Sequence, residues 1–118
     1  MTQATNLLVW SLIAHWAADW IFQTDWMAAH KNNLLHPAAW VHGGIHALFA
    51  MLVLPWNAAL IVALLHMLID TRHPLRWWRW CVGKQEGSAS DVQVNIWVDQ
   101  VFHVVTLAAV ALSVAAFK

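Results

Sequence analysis

Two long stretches of this chain carry no charged side chain. None of Asp, Glu, Lys or Arg precedes Asp19, and none lies between Lys31 and Asp70. Such stretches make poor water-facing surface, so each is expected in a buried core or in a bilayer. Composition decides between the two. Charged residues are 10% of the chain, hydrophobic ones 61%, and mean hydropathy is +0.55. A soluble domain carries about 25% charged residues. The 118 residues suffice for one domain, and the expected fold is all-α: an integral membrane four-helix bundle. A formal net charge of zero offers no electrostatic footprint for nucleic acid. Ten Trp and no Tyr suit a chain with interfacial aromatics. The lone Cys81 rules out an internal disulfide. No basic n-region precedes the first apolar stretch, so no cleavable signal peptide is expected.

A crossing helix needs roughly 20 predominantly apolar residues. The first is expected over residues 5–23. A polar loop with Asp25, His30, Lys31, Asn32 and Asn33 follows. The next uncharged run is too long for one crossing, and Pro55-Trp56-Asn57 reads as a turn within it. Helices are therefore expected over residues 37–54 and 58–73, the latter ending before Pro74 because proline disfavours helical geometry in the residue ahead of it. Residues 72–90 read as a loop rich in Arg, Trp and Gly. Ser90 with Gln93 has the spacing of a capping box that opens a fourth helix over residues 91–117.

Four crossings place both termini on one side. The opposite side holds Lys31, Arg72, Arg76, Arg79 and Lys84, and the terminal side only Lys118. Positive charge favours the cytoplasm. The chain is thus expected to be multi-pass in a bacterial inner membrane with both termini outside. Trp77, Trp78 and Trp80 read as an interfacial anchor beside the arginines.

Each expected helix carries one pair of titratable residues four apart: His15/Asp19, His42/His46, His66/Asp70 and Asp99/His103. That spacing puts both side chains on one helix face. Chance would supply roughly one such pair at the facing spacing. Counting residues from each helix end puts all eight in one slab near the cytoplasmic face. Inward ligands at one level on four helices are how bundle metal sites are built.

Imidazole and carboxylate are the usual protein ligands of zinc, iron and manganese. In hydrocarbon they are costly unless paired or metal-bound. A divalent metal ion held by His15, Asp19, His42, His46, His66, Asp70, Asp99 and His103 is the leading reading, with zinc ahead of iron and manganese. Eight donors exceed one tetrahedral site, so either two metals share them or some orient the others. A metal-free polar network or proton path comes next, and haem between His46 and His66 last. Almost nothing polar follows His103, which argues against a path across the membrane. Gly43 and Gly44 are read as packing positions. Lys31 and Arg72 could hold an anionic head group, though topology-setting charge is the favoured reading. His30, His36 and His73 are expected at water or head groups, and Gln100 is expected to point away from the site.

The segments "HWAADWIFQTDWMAAHK", "HGGIHAL", "HMLIDTRHP" and "DQVFH", in this order and spacing, resemble a family of small bacterial and phage membrane proteins described as a domain of unknown function. A looser likeness, in size and His/Asp content, is to LexA-regulated inner-membrane proteins described as metal-dependent hydrolases. The resemblance implies a metal site at the same eight residues.

The functional expectation is a metal-dependent hydrolase acting on lipid or phosphoester substrates at head-group level. A bound metal would activate water, with Asp99 or Asp19 as general base if not a ligand. No separate nucleophile offers itself: Ser11 lies toward the other side and Cys81 in the loop. The alternative is a non-enzymatic accessory subunit of a larger membrane complex, its His/Asp cluster structural, haem-binding or proton-conducting. Membrane lipid is the expected partner, and short helices make a homo-oligomer or a larger complex plausible.

Overall fold

The computed structural model describes residues 2–84, 87 and 91–117. Among them the fold is all-helical: α1 (Gln3–Trp16) running into a π-helical segment (Ala17–Ile21), α2 (Asp25–His30), α3 (Pro37–Met51), α4 (Trp56–Asp70), α5 (His73–Val82) and α6 (Asp91–Ala116). Helix α3 packs on α4, α4 on α6, α6 on α1 and α1 on α3, closing a ring of four.

Local chemistry sets most of the boundaries. The Thr2 hydroxyl caps α1 by accepting from Thr5 N–H, and Thr24 caps α2 through Met27 N–H. His36 Nδ1 accepts from Ala38 N–H at the start of α3, where Pro37 occupies the first turn. The helix expected to reach residue 54 ends at Met51, the α3–α4 connection takes residues 52–55, and α4 opens at Trp56, inside the turn read from the sequence.

Two further expectations need correction. The helix expected to reach residue 73 ends at Asp70, and Pro74, read as a terminator, sits in the first turn of α5. Proline is well placed there because its missing N–H has no partner to lose. The stretch read as a loop therefore contains a ten-residue helix. Arg72 makes the break, with φ at 66°, and α5 turns off α4 by 59°. The proposed capping residue Ser90 lies outside the described residues.

Among the described residues one helix, α6, is long and apolar enough to cross a membrane, with 26 residues and a mean hydropathy of 1.7. Helices α3 and α4 have 15 residues each. At about 1.5 Å per residue each runs about 22 Å, short of a hydrocarbon layer roughly 30 Å thick. The expectation of four full-length crossings thus narrows to an all-helical fold with one helix of spanning length.

The interior divides along its length. At the α3–α4 turn it is apolar: Ala50, Leu54, Ala58, Ala59, Val62 and Leu107 form one cluster, flanked by Leu8, Leu12 and Val110. Toward the α4–α5 break it is filled by imidazoles and carboxylates. Large apolar side chains lie outside, among them Trp10, Trp20, Leu48, Trp56, Leu64 and Trp97. Gly43 allows close approach of α3 and α4, since a Cβ there would lie 2.4 Å from Met67 Sδ. Gly44 faces open space, so only the first of the two glycines is a packing position.

Candidate metal centre

The helices bring all eight sequence-selected residues together. His42, His66 and His103 are the largest fully enclosed side chains among the described residues. His15, Asp19, His46 and Asp70 are also buried, and Asp99 is half-buried at the edge. Their helical spacing turns each pair inward, with one modification. Around Asp19 the first helix widens into a π turn, with Phe22 N–H donating to Ala17 O at 3.2 Å. Such widenings recur at functional sites. This one carries the Asp19 carboxylate into the space between the α3 histidines.

Asp19 Oδ1 lies 3.1 Å from His42 Nε2, 3.4 Å from His46 Nε2 and 3.8 Å from His66 Nε2. His42 Nε2 and His66 Nε2 are 2.9 Å apart. Two donors about 2.1 Å from one ion are separated by about 3.0 Å in an octahedral and about 3.4 Å in a tetrahedral shell. The observed separations lie near these values, and all four donors fall within 4.8 Å of one another, so the set could hold one ion. Asp70 Oδ2 adjoins the set, 2.8 Å from His66 Nε2 and 3.4 Å from His42 Nε2. Two further groups have donor atoms within 4.8 Å of one another: His15 with His66 and His103, and Asp70 with Asp99 and His103.

Proton positions are constrained as well. His103 Nδ1 is 2.8 Å from the Asp99 carbonyl oxygen. A carbonyl can only accept, so Nδ1 carries a proton, and Nε2 is the ring nitrogen left to face the cluster. His15 Nε2, His46 Nε2, His103 Nε2, Asp19 Oδ1 and Asp70 Oδ2 are all buried without a completed hydrogen bond. Orphaned polar atoms of this kind are rare in folded proteins. Here they crowd together at ion-pair distances, as Asp70 Oδ2 does 2.8 Å from His66 Nε2, an arrangement that could hold a cation.

Lys31, weighed from sequence as topology-setting charge, reaches into the cluster instead. Its Nζ lies 3.7 Å from Asp19 Oδ1 and 3.7 Å from Asp70 Oδ1. Three carboxylates and one ammonium leave a formal charge of −2 with the imidazoles neutral. One divalent ion cancels that; two would leave +2, which is costly in an enclosed site.

A pocket of about 170 Å³ opens beside the cluster, lined in part by Asp19, Asp70, Asp99, Lys31, Gln23 and Asn95. Asn95 was missed from sequence. Its signal was available: Asp91, Asn95, Asp99 and His103 repeat every four residues and form one polar stripe along α6. Gln100, expected to point elsewhere, lines the same pocket and accepts a hydrogen bond from Trp16 Nε1 at 3.2 Å. Arg79 is buried rather than a free topological charge. It pairs with Asp91 and donates to Asn95 Oδ1 from Nε at 3.0 Å, joining α5 to α6. His30 and His36 stack on each other at 4.2 Å outside the cluster, and His73 is exposed on α5. Ser11 is buried near the apolar half, and Cys81 is exposed.

A family model described as "Protein of unknown function (DUF3307)" matches residues 7–118, so the chain belongs to that family. No curated protein and no solved structure matches it.

Proposed function

We propose that this member of the DUF3307 family is an integral membrane protein of the bacterial inner membrane whose buried His/Asp cluster holds one divalent metal ion and hydrolyses an ester at head-group level. The observation that carries the reading is the set Asp19, His42, His46 and His66, enclosed on three helical elements with all four donor atoms within 4.8 Å. The inside-out distribution of side chains supports the membrane setting. Imidazoles and carboxylates are inside while Trp, Leu and Ile are outside, and Lys31, Arg72 and Arg76 gather at the polar end, as cytoplasmic loops do. On this reading both termini lie outside, α6 spans, and the shorter helices are met by local thinning of the bilayer.

A divalent ion supplies Lewis acidity and makes water a nucleophile near neutral pH. Zinc suits the donor set best, with manganese and iron close behind. The chain's own groups do the rest. The three histidines and Asp19 would hold the ion, Asp70 Oδ2, which meets the same Nε2 atoms of His42 and His66, would be a further donor beside them, and Lys31 balances the third carboxylate. Asp99, at the pocket edge, takes the proton of the attacking water as its oxygen bonds to the ester centre. The proton then passes to the departing alkoxide. Hydrolysis would require that these donors leave a position on the ion open to water.

Elemental analysis of detergent-purified protein tests the reading. One divalent ion per chain is expected. If none copurifies and none rebinds after dialysis, the cluster is a metal-free network and the accessory-subunit reading replaces this one.

A further inference from the structure

Beyond the inner pocket lies a second one of about 230 Å³, lined by Asn32, Thr71, Leu75, Asn95 and three arginines, Arg72, Arg76 and Arg79. The two pockets share Arg72, Leu75 and Asn95 as lining, so they lie side by side at the polar end of the bundle. Their linings differ in sign. The inner one has three carboxylates, and the outer one has none among the described residues. A cation would favour the inner pocket and an anion the outer one.

The arginines are differently committed. Arg79 is tied to Asp91 and Asn95 and serves to hold Asn95 at the junction. Arg76 donates from Nε to Arg72 O at 3.4 Å and from Nη2 to Thr71 O at 3.3 Å, which fixes its plane over the end of α4. A guanidinium has five donors, so Arg76 keeps others for a ligand. Arg72 is exposed and makes no ion pair with a described carboxylate. It is the only described non-glycine residue with positive φ, at 66°. That conformation is disfavoured for a residue with a Cβ and tends to persist where function uses it. Here it turns the chain so that α5 leaves α4 at 59° and Arg72 stands between the two pockets.

We propose that Arg72 and Arg76 form a phosphate-binding subsite, holding the phosphate of an ester whose scissile bond reaches Asp99 in the inner pocket. Two planar guanidiniums match phosphate oxygens in a way that point charges do not. The proposal deepens the hydrolase reading by naming its substrate class, and it rests on that reading for the chemistry but not for the binding. The phosphate can belong to a lipid head group or to a soluble phosphoester. Exposed Trp77 and Trp80 on α5 place the outer pocket beside a surface suited to lipid.

Binding is measured by calorimetry on the full chain in non-ionic detergent, with three probes: glycerol 3-phosphate, dihexanoyl phosphatidic acid and glutarate. The variants are Arg72→Asn, which keeps a residue tolerant of positive φ, and Arg76→Gln, with helicity checked by circular dichroism. At least one phosphate probe is expected to bind, and each variant to weaken it by at least about tenfold, the worth of a charged hydrogen bond. Binding of both phosphates assigns a general phosphoester site, and binding of the lipid alone assigns a head-group site. Glutarate binding as tightly as either phosphate overturns the proposal, as does unaltered affinity in well-folded variants or no phosphate binding at all. His46→Ala separates the two readings: it is expected to lose metal yet keep phosphate affinity, so a metal-free wild type leaves the binding result standing.

Discussion

His42 and His66, 24 residues apart on neighbouring helices, face each other through their Nε2 atoms at 2.9 Å. Asp19 Oδ1 and Asp70 Oδ2 close on the same pair. Two imidazole nitrogens at that distance can share one proton or one metal ion, and the flanking carboxylates favour the species with more positive charge. The pair is therefore the point at which metal loss should be felt first.

Replacing His66 by Ala is expected to lower metal content from about one ion per chain to near zero. Adding a chelator to the wild type should lower its melting temperature, because an ion at 100 times its Kd stabilises the folded state by about 2.7 kcal/mol. Elemental analysis and a thermal melt check the two. A melt indifferent to chelator in metal-loaded protein would contradict this.

X-ray absorption at the metal edge is expected to report five or six light-atom neighbours. A tetrahedral shell of four protein donors would mark a closed, structural site, and the hydrolytic half of the reading would fall while the metal half stood.

Asp99 and Asp19 should separate kinetically. Asp99→Asn is expected to keep the metal and lose about 100-fold in kcat on a cleaved phosphoester, the scale of a lost general base. Asp19→Asn should lose the metal itself. Equal metal loss in both would make Asp99 a ligand rather than a base.

Helix α3 offers a packing test. Gly43→Ala drives a methyl toward Met67 Sδ and is expected to destabilise by about 1–3 kcal/mol, as overpacking does. Gly44→Ala meets nothing within 4 Å and should be neutral or stabilising by up to about 1 kcal/mol. Adding Met67→Ala should recover part of the Gly43 defect, a non-additivity that denaturation of the four variants would measure.

The tie between α5 and α6 is also testable. Arg79→Gln removes charged hydrogen bonds to Asp91 and Asn95 and should cost about 2 kcal/mol. Protease sensitivity of α5 would rise with it; an unchanged digestion pattern would count against the tie.

Much of the site was legible because polar residues in apolar helices leave few competing explanations. His15, His42, His66 and His103 stand in segments whose other residues are mostly apolar or small, and the four-residue spacing assigns their partners. What escaped the reading depends on tertiary context. The π turn at Asp19 differs from an α turn by one hydrogen bond, decided by what α1 packs against. Pro74 marks a boundary equally well as the end of one helix or the beginning of the next. Lys31 sits in a loop sequence that does not reveal whether its long side chain reaches inward to Asp19 and Asp70. Helix α3 was read three residues too long because hydropathy continues through Leu52, Val53 and Leu54, where the backbone already turns.

The apolar packing of Leu54, Ala59, Val62 and Leu107 closes the bundle behind the polar cluster. Among the described residues the cluster is reached from the polar end of the bundle, where its pocket opens. On the hydrolase reading, substrate and product would use that same end and exclude each other, so product inhibition is expected to be competitive.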